Sequence, residues 1–362
     1  MKISRILIII IVLVVIGVVA LFAYETFVAN TSGSSLWISA AEYPLNVGGS
    51  YGVGGEQCVG STAYIYCVGG VDANNGPRDE VYTSSPISAT APGITSWAPD
   101  ANLYPLDINS ASCVTFSEKI YCIGGIDDDN GDDTPATFYA SLNNGVVGSW
   151  NPTTAYPIGI DTQSCVASAG FVYCIGGNNE TSGLASNARN STSVFYAPLS
   201  ASGIGNWSIT NSYPGAYYPT CFASSQIVYC LGGVQTDGNS ANSVYYASLS
   251  AKGLGAWTQT TSYPLSVAGQ SCVILSGTIY CVGGEGNSNS FTSKVYYAPI
   301  SSSGVGAWQI GAGYSDAAIT NCVSVATTVY CMGGFDSSSS NVTPDVSYAT
   351  LSVIVGSTQT TT

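Results

Sequence analysis

Residues 270–284, QSCVILSGTIYCVGG, carry the pattern on which the whole chain is built. A variant of this stretch occurs six times, and each copy contains two of the twelve cysteines and ends in Gly-Gly. Successive copies are 50 to 56 residues apart, an interval that indicates an array of four-stranded β-units. The two cysteines of each copy are nine positions apart, and the pairs are Cys58 and Cys67, Cys113 and Cys122, Cys165 and Cys174, Cys221 and Cys230, Cys272 and Cys281, and Cys322 and Cys331.

The spacing of the cysteines predicts a disulfide-bonded hairpin. A two-residue loop at Ser276-Gly277 places Cys272 directly opposite Cys281. Counting outward from the loop puts this pair on a non-hydrogen-bonded rung, where Cα atoms lie about 4.5 Å apart and a disulfide fits. Buried thiols and metal ligands are the alternatives, although a metal site would need four cysteines gathered at closer spacing. Six bridges would place the chain in an oxidising, non-cytosolic compartment.

The composition indicates an all-β protein and excludes several functions. Charged residues make up 8% of the chain, the net charge is −14, and histidine is absent. We expect no nucleic-acid partner, because phosphate binding requires clustered lysine and arginine. The absence of histidine excludes a Ser-His-Asp triad and histidine-ligated metal sites. Few groups would change charge between neutral and acid pH, which is compatible with an acidic medium.

The N-terminal region predicts a membrane anchor. Residues 6–24 are uncharged and apolar, and a helix of this length spans roughly the 30 Å of a hydrocarbon core. Lys2 and Arg5 assign residues 1–5 to the cytoplasm, which leaves the linker 25–35 and the rest of the chain outside the cell. We therefore expect a single-pass protein of the cell membrane, with a cleaved signal peptide as the alternative.

Sequons for N-glycosylation agree with export from the cytoplasm. An Asn-x-Ser/Thr sequence also arises by chance in a chain this rich in Asn, Ser and Thr. The five candidate acceptors are Asn30, Asn179, Asn190, Asn206 and Asn341.

The order of motifs within each unit resembles the kelch repeat. Each unit reads tryptophan, a Tyr-Pro segment, the cysteine hairpin with Gly-Gly, a variable loop and a tyrosine-containing strand, with Tyr314-Ser315 in place of Tyr-Pro in the sixth unit. The resemblance covers residues 36–353 and implies a six-bladed kelch-type β-propeller with four-stranded antiparallel blades, followed by a threonine-rich tail at 354–362. The paired cysteines and scarce charged residues depart from the family, so no partner is carried over from it.

The phase of the repeat predicts how the ring closes. The sixth unit ends near Tyr348-Ala349 without a tryptophan strand after it, whereas a spare one occurs at Trp37. We expect residues 36–39 to form the outer strand of the last blade, so that no sheet edge is left open.

Ligand binding is expected on one face of the propeller. The loops after each Gly-Gly and the Tyr-Pro segments share one end of the strands, which we call the variable-loop face, and the short turns share the opposite, short-turn face. Loops on a rigid scaffold are where function concentrates. Tyr51, Tyr217 and Tyr218 are the candidate ligand-binding residues, because aromatic rings beside polar side chains suit sugars or a partner protein. A plain connecting surface is the alternative.

An acidic loop follows the second Gly-Gly and has two interpretations. Dense carboxylates around an Asn-Gly turn supply the oxygen ligands that calcium prefers, whereas charge runs are often solvated turns. The candidate ligands are Asp127, Asp128, Asp129, Asp132 and Asp133.

The sequence as a whole predicts a non-catalytic, membrane-anchored binding or adhesion module for a glycan or surface protein. One alternative is a carbohydrate-active enzyme that uses two carboxylates on the variable-loop face. Another alternative is a structural protein of the cell envelope. The candidate carboxylates for the enzyme are Asp107, Asp161, Glu285 and Asp316.

Overall fold

The six cysteine hairpins adopt the predicted register in the computed structural model. In the fifth copy Cys272 pairs with Cys281 and Leu275 with Thr278. Ser276 and Gly277 have φ values of 49° and 75°, the left-handed conformation that a type I′ turn requires at both central positions. All six cysteine pairs are disulfides, with Cα atoms 4.0 to 4.1 Å apart. The predicted pairing is confirmed, and the short distance is that of a non-hydrogen-bonded rung.

The structure describes residues 37–44, 46–47, 50–51, 53–72, 76, 78–127, 131–179, 190–288, 290–314, 319–335 and 342–350. These residues belong to one unit, Trp37–Thr362. Within these ranges no helix has the length and apolar character needed to span a bilayer. The predicted transmembrane segment 6–24 and linker 25–35 lie outside the described residues.

The described strands form six antiparallel sheets that contain the hairpins, named I to VI in chain order of their hairpins. Sheet I consists of Gln57–Gly60, Ile65–Val68, Val81–Ser84 and Trp97–Pro99. Sheet II consists of Ser112–Phe116, Lys119–Ile123, Thr137–Asn143 and Asn151–Pro152. Sheet III consists of Ser164–Ser168, Phe171–Ile175, Val194–Ser200 and Ser208–Ile209. Sheet IV consists of Thr220–Ser224, Ile227–Leu231, Val244–Ser250 and Thr258–Gln259. Sheet V consists of Ser271–Leu275, Thr278–Val282, Val295–Ser301 and Gln309–Ile310. Sheet VI consists of Ile319–Val325, Thr328–Phe335, Val346–Thr350 and Ile38–Ser39.

Short strands also occur at both ends of these sheets, and those on the variable-loop face form separate two- or three-stranded sheets. Two-residue strands pair with the end of the third strand in sheets II to V, and they are Val146–Val147, Gly203–Ile204, Gly253–Leu254 and Gly304–Val305. On the variable-loop face the additional strands are Asn46–Val47, Ser50–Tyr51, Val53–Gly54, Val71–Asp72, Ile108–Asn109, Ile126–Asp127, Asp132–Asp133, Glu285–Gly286 and Ser290–Phe291.

The hydrophobic core lies between consecutive sheets. In one cluster Tyr121 and Ile123 of sheet II pack with Val172 and Leu199 of sheet III, and five similar clusters occur among the described residues. The first strand of each sheet contacts the first strands of two others, in the closed order I, II, III, IV, V, VI and back to I. Repeated four-stranded antiparallel sheets packed in this order make a propeller-like all-β fold.

A tyrosine in the second strand links each of several sheets to the next one. The Tyr121 hydroxyl of sheet II donates a hydrogen bond of 2.8 Å to the backbone carbonyl of Ser200 in sheet III. Tyr173 and Tyr229 make the same bond to the next sheet, at 2.7 and 2.8 Å. These repeated tyrosines therefore link neighbouring sheets through hydrogen bonds.

The repeated tryptophan and Tyr-Pro tyrosine form a second structural pair in every sheet. Tyr104 is buried and meets Trp150 edge to face, with ring centroids 4.9 Å apart. The Trp150 indole also donates to the carbonyl of Asn102, two residues before the tyrosine. The equivalent pairs are Tyr43 with Trp97, Tyr156 with Trp207, Tyr213 with Trp257, Tyr263 with Trp308 and Tyr314 with Trp37. Such edge-to-face pairs stabilise the fold beyond the area they bury.

The first and last described strands of the chain pair in sheet VI. Ile38 pairs with Tyr348 and Ser39 with Ser347, so the N-terminal strand is the outer strand of the sheet formed by the last repeat. This pairing confirms the closure predicted from the phase of the repeat. Trp37 is buried against Tyr314, which adds an aromatic contact to the two-residue strand.

Removal of the closing strand tests its contribution to stability. A chain that starts at Ala41 lacks Trp37 and the outer strand of sheet VI, and we expect its melting temperature to lie well below that of a chain starting at Glu25. Thermal unfolding followed by circular dichroism makes the comparison. Equal melting temperatures would show that the closing strand contributes nothing.

Candidate functional site

A cavity of about 330 Å³ opens on the variable-loop face beside sheet IV. The Tyr-Pro segment that enters sheet IV forms one wall, and the loop after Gly232-Gly233 forms the other. The described residues that line it are Thr192, Pro214, Gly215, Ala216, Tyr217, Gln235, Thr236, Ala241, Asn242, Ser243 and Tyr245. Small-molecule sites in proteins start at about this volume.

Backbone pairing fixes the position of Tyr217 in this cavity. Its N–H donates to the carbonyl of Val234, and the N–H of Val234 donates to the carbonyl of Tyr217, both at 2.8 Å. The close approach depends on Gly233, whose φ is 94° and where a Cβ atom would lie 2.1 Å from the Tyr217 carbonyl oxygen. The Gly-Gly motif of the repeat therefore allows the Tyr-Pro segment to lie against the loop.

Hydrogen bonds also order the loop at 235–239. The N–H of Gln235 donates to the carbonyl of Asn239, and the Asp237 carboxylate accepts two bonds of 2.9 Å from Asn239. These bonds lower the pKa of Asp237. The next residue, Ser240, is tied to the neighbouring sheet because its N–H donates to Asn287 Oδ1 at 2.7 Å. The wall that carries Gln235 and Thr236 is thus held in place before any ligand binds.

The lining side chains are hydroxyls, amides and aromatic rings. Gln235 and Asn242 are exposed and offer both donors and acceptors, while Thr192, Thr236 and Ser243 offer hydroxyls. Tyr217 and Tyr245 are half-buried, and Tyr245 meets the buried Tyr213 edge to face at 5.7 Å. Every described lining residue is uncharged. Such a lining is suited to a neutral ligand with many hydroxyl groups and an apolar ring face.

The other two candidate tyrosines have different positions. Tyr218 does not line the cavity, because its hydroxyl donates a 2.6 Å hydrogen bond to Asn190 Oδ1. Tyr218 has a φ of 54°, a left-handed backbone conformation that was not predicted from the sequence. Tyr51 belongs to the strand Ser50–Tyr51, and its side chain lies outside the described residues.

A second cavity, of about 340 Å³, lies between sheets I and II on the short-turn face, where we had expected only uniform turns. Its lining includes Tyr64, Tyr66, Phe116 and the exposed Glu118. Here the tyrosine bond between sheets is reversed, because the N–H of Gly145 donates to the Tyr66 hydroxyl at 3.2 Å.

The sequence signal for this reversal is a change of turn. Asn144-Gly145 stands where the later repeats carry a Ser-x-x-Gly turn, and its φ values of 47° and 84° are those of a type I′ turn. The turn therefore presents a backbone donor to the tyrosine of sheet I, whereas in sheets III to V the tyrosine hydroxyl of the preceding sheet donates to a carbonyl.

The acidic loop is described only in part. Ile126–Asp127 and Asp132–Asp133 form a short hairpin in which Asp127 pairs with Asp132, and Asp133 is buried. Asp128 and Asp129 lie outside the described residues. In the part of the chain that the structure covers, no three His, Cys, Asp or Glu side chains are gathered closely enough to hold a metal ion.

The candidate catalytic carboxylates lie on loops of different sheets. Asp107 is exposed and lies in the segment that leads into sheet II. Asp161 lies in the segment that leads into sheet III, is 4% exposed and accepts a 2.8 Å hydrogen bond from Thr162 Oγ1. Glu285 begins the strand Glu285–Gly286, which follows the hairpin of sheet V and pairs with Ser290–Phe291, and Asp316 lies outside the described residues. None of the three described carboxylates lines the cavity beside Tyr217.

The candidate glycosylation sites differ in exposure. Asn206 is exposed, Asn179 is half-buried, and Asn190 is half-buried and accepts the hydrogen bond from Tyr218. Asn30 and Asn341 lie outside the described residues.

A titration distinguishes the two interpretations of the acidic loop. The solvated-turn hypothesis predicts no heat of binding when calcium is added to millimolar concentration in a calorimeter. Saturable heat in the parent chain that Asp132→Asn abolishes would instead establish a calcium site.

Comparison with known proteins supports the fold and carries no information about the function. No protein-family model matches the chain, and no curated protein matches it significantly. Among solved structures the chain is similar to one titled "Structure of YjhT", with a TM-score of 0.66 and 15% sequence identity over 85% of this chain and 95% of that one. A likeness at this identity concerns the fold alone, and it agrees with a propeller-like all-β architecture.

Proposed function

We propose that the chain is a non-catalytic binding module that holds a neutral saccharide in the cavity beside Tyr217. The observation that carries this proposal is the lining of that cavity, which combines two half-buried tyrosines with amide and hydroxyl side chains and contains no charged residue among those described. A saccharide offers an apolar ring face for the tyrosines and hydroxyl groups for Gln235, Thr236 and Asn242.

The cavity favours a small ligand or the end of a larger glycan. Its volume of about 330 Å³ is at the lower end of the range for ligand sites, which suits one or two sugar rings. The hydrogen-bonded loop 235–239 and the anchored Ser240 reduce the entropy that binding would cost. The exposed rim of Gln235, Thr236 and Asn242 leaves room for the rest of a glycan chain.

The scaffold of this site is proposed to be a six-bladed propeller of the kelch type. The closed order of contacts among the first strands of sheets I to VI supports six blades, and the order of motifs in each repeat supports the kelch resemblance. We place the propeller at 36–353 and the tail at 354–362.

We further propose that the propeller is displayed outside the cell. Residues 6–24 would anchor the chain in the membrane with residues 1–5 in the cytoplasm, and six disulfides are compatible with an oxidising exterior. The partner would then be a glycan at the cell surface, either free or attached to a surface protein.

The cavity between sheets I and II is the second candidate for the binding site. The reversed bond at Tyr66 and the aromatic side chains Tyr64 and Phe116 distinguish it from the junctions of sheets II to V. It would serve the same class of ligand, but on the short-turn face.

A glycan array followed by calorimetry tests the proposal. We expect Tyr217→Ala to weaken binding of the best neutral saccharide by at least about 1 kcal/mol, because the aromatic contact is lost. The melting temperature should change little, since the pairing with Val234 uses only the backbone of Tyr217.

Two further variants serve as controls. Tyr218→Phe removes only the hydroxyl that bonds Asn190, so binding should remain at the level of the parent chain. If Tyr64→Ala abolishes binding while Tyr217→Ala does not, the site is the cavity between sheets I and II. Turnover of the bound saccharide would contradict a non-catalytic role.

A further inference from the structure

Three glutamine or glutamate side chains occupy the same position in alternate sheets. Glu56, Gln163 and Gln270 each lie two residues before the first cysteine of a hairpin, in sheets I, III and V. They are 2%, 4% and 3% exposed, so all three side chains are removed from solvent. The Oε1 atom of each is buried and has no hydrogen-bond partner among the described residues.

The two glutamines bridge neighbouring sheets through their amide N–H groups. Gln163 donates to the carbonyl of Ile123 at 2.6 Å, and Gln270 donates to the carbonyl of Leu231 at 3.1 Å. Each of these carbonyls directly follows the second cysteine of the preceding sheet. The equivalent carbonyl in sheet VI, that of Met332, already accepts a 2.9 Å hydrogen bond from Thr320 Oγ1, so a side chain at Glu56 need not supply a donor to it.

An ionised glutamate cannot replace a glutamine at such a position. A carboxylate has only acceptors, whereas a glutamine has a donor for the carbonyl of the preceding sheet. A protonated carboxyl recovers one donor and has nearly the shape of the amide. Burial of an ionised carboxylate without a counter-charge is also costly, so the protonated form is favoured.

Among the described residues, the groups that act on Glu56 and on its neighbour Tyr43 carry no positive charge. Burial raises the pKa of Tyr43, which lies in the Tyr-Pro segment entering sheet I, and the nearby groups Glu56, Tyr82 and Glu80 raise it further. From sheet VI the amide of the neutral Asn321 donates a hydrogen bond of 3.2 Å to the backbone carbonyl of Glu56. Burial raises the pKa of Glu56 from 4.5 to about 8, and no lysine or arginine contributes to this shift.

We propose that Glu56 binds a proton when the protein folds and thereby makes the junction between sheets VI and I dependent on pH. In its neutral form Glu56 has the shape and the lack of charge that glutamine has at this buried position in sheets III and V. Its ionisation leaves a buried charge beside the sheet that closes the ring. The N-terminal strand Ile38–Ser39 also belongs to sheet VI. The pH-dependent junction between sheets VI and I therefore involves the same sheet in which this strand pairs with Val346–Thr350.

The direction of the pH dependence follows from the two protonation states. The unfolded chain releases the proton near the ordinary pKa of 4.5, whereas the folded chain keeps it up to about 8. The contribution of Glu56 to stability is therefore fully present below pH 4.5 and is lost as the pH rises through 8. Between pH 4.5 and pH 8, ionisation of Glu56 should increase the equilibrium constant for unfolding by roughly 10³-fold.

Urea unfolding of the full-length chain at pH 5 and pH 8 tests the proposal. Glu56→Gln keeps the shape of the side chain and removes the titrating group, so we expect it to stabilise the chain at pH 8 and to change little at pH 5. Gln163→Glu is the matched variant, because it places a carboxyl at the equivalent buried position of sheet III. It should destabilise the chain at pH 8 much more than at pH 5.

Two outcomes would overturn the proposal. One is a difference in the free energy of unfolding between the parent chain and Glu56→Gln that is the same at pH 5 and pH 8. The other concerns the folded parent chain alone, so it remains decisive if a variant does not fold. In a ¹³C NMR titration the Glu56 carboxyl should have a midpoint far above that of an exposed glutamate, and a midpoint near 4.5 would show that Glu56 is ionised in the folded protein.

Discussion

The fold depends on one constraint, which is that every sheet buries both of its faces against neighbouring sheets. A single four-stranded sheet from this chain would expose the apolar side chains of both faces, so the sheets are stable only as a closed series. The closed contact order of the first strands satisfies this constraint. The outer strand Ile38–Ser39 completes the last sheet, and this arrangement explains why residues near the N-terminus and Val346–Thr350 pair although they are far apart in sequence.

The repeated motifs have separate roles in meeting the constraint. The disulfide joins the first two strands of each sheet, and the tyrosine hydroxyl donates a hydrogen bond to the next sheet. The tryptophan indole donates a hydrogen bond to the Tyr-Pro segment that enters the sheet. Because these roles are structural, they leave the variable-loop face free to differ from sheet to sheet. The cavity beside Tyr217 arises where the incoming segment and the loop at 235–239 diverge. The cavity is therefore lined by loop residues that differ from one repeat to the next.

The sequence predicted the parts of the structure that follow from local geometry. The two-residue loop determined the hairpin register and hence the cysteine pairs, and the position of Trp37 determined the closing strand. Features that depend on three-dimensional context were not predictable. Tyr217 and Tyr218 are adjacent in sequence, yet only the first lines the cavity, because the left-handed conformation at Tyr218 directs its hydroxyl to Asn190. The reversed bond at Tyr66 was also missed, although Asn144-Gly145 is a turn signal in the sequence.

The central claim is that a closed series of sheets presents a neutral saccharide site at Tyr217. A crystal structure of the chain with the saccharide selected on the array tests this claim most directly. The account predicts six blades, with a sugar ring against Tyr217 and its hydroxyl groups bonded to Gln235 and Asn242. A sugar bound between sheets I and II, or a ring with a different number of blades, would contradict it.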